Sequence, residues 1–197
     1  MICALPSHES ARLLRASLPA LGAMLGRIEH QGTAIASFAF DAGQMKQEVN
    51  GMGFVVPKIA GNSILAGSFS SLKYAHRAPE GKLLLRIFAG GAGSPHMVEM
   101  PEAELLPLLQ AEMSNILHIE GAPLFSVVAY WPRTMPQYHV GHRDLVGAIE
   151  EAVATEPTLG LAGNAFHGVG IPNCAQSGRL AAENLLVDTV APAGTSR

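Results

Sequence analysis

Four segments between residues 33 and 91 have the composition of β-strands, and they constrain the fold more than any other feature of the chain. These segments are rich in β-branched, aromatic and other apolar residues, and they cover residues 33–40, 53–57, 63–71 and 82–91. Clusters of glycine and proline separate them, as expected for strands joined by turns. The sequence therefore predicts a sheet of at least four strands.

Helical patterns lie on both sides of these strands. Residues 7–18 predict a helix that Ser7 can cap, since serine is favoured at the N-cap. Residues 101–117 predict a second helix, which Pro107 should kink or split. Residues 142–156 have apolar side chains four positions apart, as in an amphipathic helix. The chain is therefore expected to mix helices with its sheet.

The C-terminal part adds two strands and a helix that begins in a glycine-rich turn. Strands are expected at residues 123–131 and 159–163, and a helix is expected to follow the glycine turn, with Pro172 at its first position. The start of such a helix offers unpaired N–H groups and a partial positive charge. Gly168 and Gly170 remove the side chains that would keep a ligand from the backbone. On spacing alone, the same turn also suits an ordinary strand–turn–helix whose glycines serve chain geometry.

The composition of the chain excludes some classes of function. Of the 197 residues, 48% are apolar and 15% are charged, yet no segment approaches the ~20 apolar residues of a membrane-spanning helix. The apolar excess fits either a well-buried core or a surface meant for a missing partner, a large flat ligand or a bilayer face. A net charge of −3 argues against nucleic-acid binding, which normally needs a basic surface.

Several kinds of site are not expected. Cys3 and Cys174 lie far apart, which indicates no disulfide scaffold or zinc site and fits a reducing, cytosolic setting. The start of the chain lacks the features of a signal peptide. The histidines lack paired cysteines or carboxylates at ligand spacing, so no metal site is expected. No nucleophile elbow or catalytic triad is present. The glycines at 91 and 93 are followed by His96, so the dinucleotide-binding fingerprint is absent.

Five blocks of the sequence together resemble a known family. The last of them, TLGLAGNAFHGVGIPNCAQSGRLAAENLL, resembles the C-terminal flavin-contacting segment of HemY-type protoporphyrinogen and coproporphyrinogen oxidases, in the flavin amine oxidase superfamily. The others precede it in family-like order: ICALPSHESARLL, GMGFVVP, SFSSLKYAHRAPEGKLLLRIFAGG and YWPRTMPQYHVGH. The resemblance covers nearly the whole chain.

The resemblance implies an α+β layout in which this chain is the C-terminal part of a longer oxidase. Residues 1–30 would end a strand of the FAD-binding domain and form a linking helix. Residues 31–130, with helix 101–117, would form a substrate-binding domain with a mixed or antiparallel sheet. Residues 131–188 would return as the FAD-contacting strand and helix, and residues 189–197 would be a disordered tail. The N-terminal Rossmann unit of the family is expected to be missing.

The resemblance also assigns site residues. It implies that the backbone of Val169, Gly170 and Ile171 contacts FAD, and that Trp131 and Gln137 approach the flavin from the other side. Residues implied to line a tetrapyrrole pocket are Met52, Val55 and Phe69. Lys73 and Arg77 could meet substrate carboxylates or be solvated charges beside a strand.

The implied activity is FAD-dependent oxidation of a porphyrinogen to a porphyrin, with O₂ as electron acceptor, in haem biosynthesis. Monoamine oxidases bind flavin through a cysteine upstream of the glycine turn, and the matching stretch PRTMPQYHVG has none. Noncovalent FAD is therefore expected. The isolated chain is expected to be inactive, in the cytoplasm or peripherally at the cytoplasmic membrane. The alternatives are another enzyme of the superfamily, such as an amine oxidase or carotenoid desaturase, or a non-catalytic gene fragment.

Overall fold

The computed structural model describes residues 1–190, with side chains for residues 1–186. Its strands and longer helices, in chain order, are β1 (Ile2–Cys3), α1 (Ser7–Leu14), α2 (Pro19–Gly26), β2 (His30–Asp41), β3 (Gly53–Val55), β4 (Ile64–Phe69), α3 (Ser70–Lys73), β5 (Lys82–Gly90), α4 (Glu102–Leu117), β6 (Phe125–Pro136), α5 (His142–Ala154), β7 (Gly160–Leu161) and α6 (Ile171–Val190). The chain divides into two compact units. Residues 31–135 form the sheet unit, and residues 1–30 with the chain from 136 onward form the helical unit.

The sheet unit is built on five strands in the order β3-β4-β5-β2-β6. β2 pairs with β5, β3 with β4, and β4 with β5, all antiparallel. Successive side chains on a strand point to opposite faces, so each strand has a core face and an opposite face. The alternating burial along β5 follows this rule, with Leu83, Leu85 and Ile87 buried.

Helix α4 covers the core face of this sheet. Its residues Leu105, Leu109 and Met113 recur every four positions and are fully buried. They share one hydrophobic cluster with Phe38 of β2 and Leu85 of β5, which pair across the sheet. Full burial of an apolar side chain of this size contributes about 1.5–3 kcal/mol, so this cluster supplies most of the unit's stability.

Pro107 lies inside a helix that was expected to kink or split there, and Pro132 lies inside a strand that was expected to end at residue 131. α4 runs unbroken through Pro107, so the expected split of this helix is wrong. β6 extends to Pro136 and contains Pro132, beyond the predicted end of this strand at residue 131. β6 is an edge strand, where a missing N–H costs no ladder hydrogen bond if it faces outward.

The helical unit contains a second, two-stranded sheet. β1 pairs in parallel with β7, with Ile2 opposite Gly160 and Cys3 opposite Leu161. Helices α1, α2 and α5 pack around a separate apolar cluster. The buried side chains of this cluster include Leu14, Leu21, Leu25, Val146 and Ile149.

The predicted helix over residues 7–18 is shorter in the structure, and a second helix follows it. α1 ends at Leu14, and α2 starts at Pro19, which suits a first helical position because its missing N–H would have no partner there. The predicted cap by Ser7 is also wrong: Pro6 is the N-cap residue, and the Ser7 hydroxyl is buried without a hydrogen bond among the described residues.

The predicted α+β fold class is confirmed, with a mostly antiparallel sheet and a parallel strand pair. The assignment of these parts to a substrate-binding and an FAD-contacting domain stays a prediction. α6 includes residues 189 and 190, where the disordered tail is predicted to start. The rest of that predicted tail lies outside the described residues.

Candidate functional site

The glycine turn of the helical unit ends at an open helix start. α6 begins at Ile171, and the Cys174 N–H donates to the Gly170 carbonyl at 3.0 Å. The side chains of Val169 and Ile171 are 62% and 86% exposed. The first amides of a helix have no acceptor within it, so they are available to an electron-rich ligand. The residues predicted to contact FAD therefore lie at an accessible surface of this unit.

The backbone of the turn has a shape that requires glycine. Gly168 has φ of +142°, a conformation that other residues rarely adopt. A Cβ there would lie 2.7 Å from the side-chain carbonyl carbon of Asn173, and one at Gly170 would lie 2.8 Å from Asn173 Oδ1. Asn173 therefore occupies the space that the two glycines leave, and its side chain is held there by a 3.5 Å hydrogen bond from Nδ2 to the His167 carbonyl.

Tyr138 fixes the turn from a distant part of the sequence. Its hydroxyl accepts from the Gly168 N–H at 2.9 Å and donates to the Asn164 carbonyl at 2.6 Å. Its ring stacks on His142, with centroids 4.0 Å apart and an interplanar angle of 12°. The Nε2 atom of His142 lies 3.2 Å from the Phe166 carbonyl. One phenol thus links the start of the turn to its end.

The electrostatics of Tyr138 keep this phenol neutral. Partial burial raises the pKa of Tyr138 above 10.0, and the hydrogen bond from the Gly168 N–H opposes this effect only in part. A phenol with a raised pKa remains a donor to Asn164 throughout the neutral range.

We expect the replacement Tyr138→Phe to loosen the turn without unfolding the protein. It removes both hydrogen bonds of the hydroxyl while keeping the ring stacked on His142, and each such bond contributes about 1 kcal/mol. Hydrogen exchange at the Gly168 amide, measured by NMR, should accelerate roughly fivefold or more, following the lost free energy. Tyr74→Phe is the control, because that exposed tyrosine lies in the sheet unit. Unchanged exchange at Gly168 would show that Tyr138 does not hold the turn.

Gln137 and Trp131 belong to different units. In the helical unit, the Gln137 N–H donates to the Glu29 carbonyl at 2.9 Å, and Glu29 Oε2 lies 2.9 Å from His139 Nε2. In the sheet unit, Trp131 is on β6 and is half-exposed. The flavin-contacting roles of both residues stay predictions.

The residues predicted to line a tetrapyrrole pocket lie around β3 and β4 of the sheet unit. Met52 and Val55 are 59% and 79% exposed. Phe69 is buried in the core, with its ring 5.9 Å from that of Phe54. Val55 and Phe69 both line a cavity of about 460 Å³, bounded on another side by the end of α4. Met52 is not among the residues lining this cavity.

Lys73 and Arg77 lie near the same aromatic ring, that of Tyr74. The sequence leaves the role of these two cations open. Lys73 Nζ lies 5.3 Å, and Arg77 Cζ 5.6 Å, from the centre of the Tyr74 ring. All three side chains are exposed. This arrangement is a cation–π contact at the surface, and it fits either of the two roles considered for these cations.

A second cavity, of about 590 Å³, lies within the helical unit. It is lined by residues of α5, β7 and α6, including Ile149, Glu150, Phe166, Leu180 and Leu185. His167 closes one side through Nε2, which lies 2.6 Å from Glu150 Oε1. Val169, Gly170 and Ile171 are not among the residues that line it, so we assign it no part in the site.

Two side chains, Tyr138 and Arg86, were not singled out from the sequence. Tyr138 lies 30 residues before Gly168, and only the folded chain brings them together. The sequence feature that could have pointed to Tyr138 is the stretch PQYHVGH, which carries part of the family resemblance. Arg86 is an exposed cation inside a strand with an otherwise apolar pattern. Such an interruption of a strand pattern was a usable signal.

The described part of the chain offers neither a metal site nor a membrane-spanning helix. In that part, no group of three or more histidine, cysteine or acidic side chains is arranged to hold a metal ion. Among the same residues, no helix is both long enough and apolar enough to cross a bilayer.

Comparison with known proteins shows relatives of considerably greater length. The coproporphyrinogen III oxidase of Bacillus subtilis (strain 168) is 32% identical over 180 residues, which are 91% of this chain and 38% of the relative. The chloroplastic protoporphyrinogen oxidase of Nicotiana tabacum is 26% identical over 186 residues, covering 89% of this chain and 34% of the relative. This chain therefore spans less than half the length of these relatives.

Solved structures give the same relationship. A crystal structure of a candidate protoporphyrinogen oxidase from Exiguobacterium sp. 255-15 superimposes with a TM-score of 0.79 and 29% identity. The match covers 94% of this chain and 41% of that one. The family of flavin-containing amine oxidoreductases matches residues 1–186. The resemblance found in the sequence is confirmed, and the chain belongs to the family of flavin-containing amine oxidoreductases.

Proposed function

We propose that this chain is the C-terminal part of an oxidase that converts a porphyrinogen to a porphyrin, with noncovalent FAD and O₂, in haem biosynthesis. The relatives named as coproporphyrinogen III and protoporphyrinogen oxidases support this substrate class. The observation that carries the proposal is the start of α6, which is exposed at Val169 and Ile171 and is held in place by Tyr138.

The residues of the turn fit a flavin. Exposed first-turn amides and the partial positive charge of a helix start would stabilise negative charge on the pyrimidine edge of the ring, by up to about 2 kcal/mol. Val169, Gly170 and Ile171 would hold that edge through the backbone. No cysteine lies between residues 130 and 142 to attach the ring covalently. A bound flavin would supply two-electron redox chemistry, accepting hydride from a porphyrinogen bridge carbon and passing electrons to O₂.

The protein's own contribution is then binding and orientation. Trp131 and Gln137 would border the ring, and Met52, Val55 and Phe69 would border the substrate. The exposed apolar side chain of Val55 suits contact with a hydrophobic macrocycle. No acid–base triad is expected from the sequence, and hydride transfer to a flavin needs none. The free cysteines, Cys3 and Cys174, support a cytoplasmic location, with peripheral membrane contact left open.

The proposal is tested by supplying the part that the relatives have in addition. The 197-residue chain is purified alone, and also coexpressed with the N-terminal remainder of the Bacillus subtilis relative. We expect the chain alone to show no flavin absorption band, because most contacts to FAD would be absent. The coexpressed pair should bind FAD and turn added coproporphyrinogen or protoporphyrinogen into fluorescent porphyrin with release of peroxide.

Three results would contradict parts of this proposal. A flavin band near one equivalent in the chain alone would mean that it holds FAD without a further segment. A flavin-containing pair that oxidises an amine such as benzylamine, but no porphyrinogen, would favour another enzyme of the superfamily. A pair that acquires no flavin would favour a non-catalytic fragment. The N-terminal remainder expressed by itself is the control for background activity.

A further inference from the structure

The sheet of the sheet unit has a second face, opposite α4. In β2 and β5 the fully buried side chains, such as Phe38 and Leu85, point toward α4, so their neighbours in sequence point the other way. In β6, Val128 and Tyr130 pack on the core cluster, which places the residues between and beside them on the opposite side. We call this second face the open face. Its members with known strand positions are Ile35, Ser37, Val55, Ala66, Ser68, Leu84, Arg86, Phe88, Phe125, Val127 and Trp131.

The open face is apolar and partly accessible. Val55 is 79% exposed, and Phe125, Val127 and Trp131 are each at least 50% exposed. Strands lie about 4.8 Å apart, so the face measures roughly 19 Å from β3 to β6. An accessible apolar surface of this extent usually marks a binding site rather than a surface that stays in contact with water.

Arg86 is the charged residue in the middle of this face. It pairs with Ser37 of β2 on one side and with Ser68 of β4 on the other, so small polar side chains flank it. Its guanidinium carbon lies 5.5 Å from the centre of the Phe88 ring, the next residue on the same face. The other charges of β2 and β5 on this side, Asp41 and Lys82, form an ion pair at the sheet end. Within residues 1–186, Arg86 forms no ion pair with a carboxylate.

Arginine is suited to this position because of its donors. Its planar guanidinium presents a rigid fork of N–H groups that matches a carboxylate in two parallel hydrogen bonds. Surrounding apolar residues lower the local dielectric and strengthen such a bond. The complementary ligand is therefore a broad apolar molecule with a carboxylate at its periphery.

Resting on the proposed function, we infer that Arg86 binds a propionate carboxylate of the porphyrinogen while the ring system lies on the apolar part of the open face. Val55, already predicted to border the substrate, is on this face, and so is Trp131, whereas Phe69 pairs with Leu85 on the core face. Arg86 would then favour porphyrinogens with a free propionate carboxylate over their neutral esters.

The test uses the full 197-residue chain and the stable porphyrin products as probes. Trp131 is the single tryptophan of the chain and lies on the open face, so a porphyrin bound there should quench its fluorescence. Coproporphyrin III and its tetramethyl ester are titrated at neutral pH into the wild-type chain and into Arg86→Gln. We expect the substitution to raise the Kd for coproporphyrin III about tenfold, as for loss of a charge-assisted bidentate bond. The Kd for the ester should not change.

Two further variants make the result specific. Lys46→Gln removes another exposed cation, one that lies 3.5 Å from Glu120, and should bind both probes as the wild type does. Arg86→Lys keeps the charge without the planar fork and should fall between wild type and Arg86→Gln. Circular dichroism checks that each variant is folded.

The remaining outcomes separate this inference from the proposed function. If Arg86→Gln binds coproporphyrin III as tightly as the wild type, or loses the ester equally, the role of Arg86 is wrong and the proposed function is untouched. If the wild-type chain binds neither porphyrin, the inference fails as well. The oxidation assay of the coexpressed pair then decides the proposed function by itself.

Discussion

Replacing Phe38 with alanine should cost about 3–5 kcal/mol of folding free energy, the largest effect of any single substitution considered for this chain. Phe38 is fully buried at the centre of the sheet, between Leu85 on the neighbouring strand and the leucines of α4. Its removal leaves a cavity that the surrounding strands cannot close without losing their register. A domain is typically stable by only 5–15 kcal/mol, so the variant sheet unit should be marginally folded at best.

The measurement for Phe38→Ala is urea unfolding followed by Trp131 fluorescence, because the single tryptophan belongs to the sheet unit. The matched control is Phe125→Ala, the same substitution on the neighbouring strand β6 but at a side chain that is 56% exposed. The control should lose less than about 1 kcal/mol. Similar midpoints for the two variants would mean that Phe38 does not lie in a packed core.

Gly168→Ala is expected to distort the turn that leads into α6. At φ of +142° a side chain is strained by about 1–3 kcal/mol, and the new Cβ would also meet the side chain of Asn173 at 2.7 Å. Either the backbone moves, which breaks the 2.9 Å bond to Tyr138, or Asn173 is displaced. In the coexpressed pair, FAD affinity should fall by tenfold or more, which corresponds to about 1.4 kcal/mol.

Two companion variants identify the cause of that loss. Gly168→Ala combined with Asn173→Ala removes the collision but not the backbone strain, so it should recover only part of the stability. Gly178→Ala places the same methyl group in α6, where no atom lies within 4 Å, and should be neutral or stabilise by about 0.5–1 kcal/mol. Thermal unfolding followed at 222 nm compares these variants. A Gly168→Ala protein as stable as the wild type would show that the turn does not need its left-handed backbone.

The apolar excess in the composition has a structural account. Part of it forms two separate cores, one in each unit. Another part lies at the surface, on β3 and β6 of the sheet and at the start of α6. A buried core and an apolar binding surface were alternatives from composition alone, and the structure contains both a buried core and exposed apolar surface.

The sequence by itself determined the local elements and the family. Segments rich in β-branched, aromatic and apolar residues, separated by glycine and proline, located the strands, and leucines at helical spacing located α4, because such patterns depend only on neighbours along the chain. Five ordered blocks of residues were enough to identify the family. The local rule failed at Ser7, where the way the chain enters the helix outweighed intrinsic preference, and the expected split at Pro107 did not occur.

Only the tertiary structure decided which distant side chains meet. Tyr138 reaches Gly168 across 30 residues, and Arg86 lies between Ser37 and Ser68 because of strand register. Register follows from the simultaneous packing of five strands on α4, and a shift of one residue would move every side chain to the other face. Because the strand register depends on the packing of the whole core, no single stretch of sequence could show that Arg86 lies on the open face.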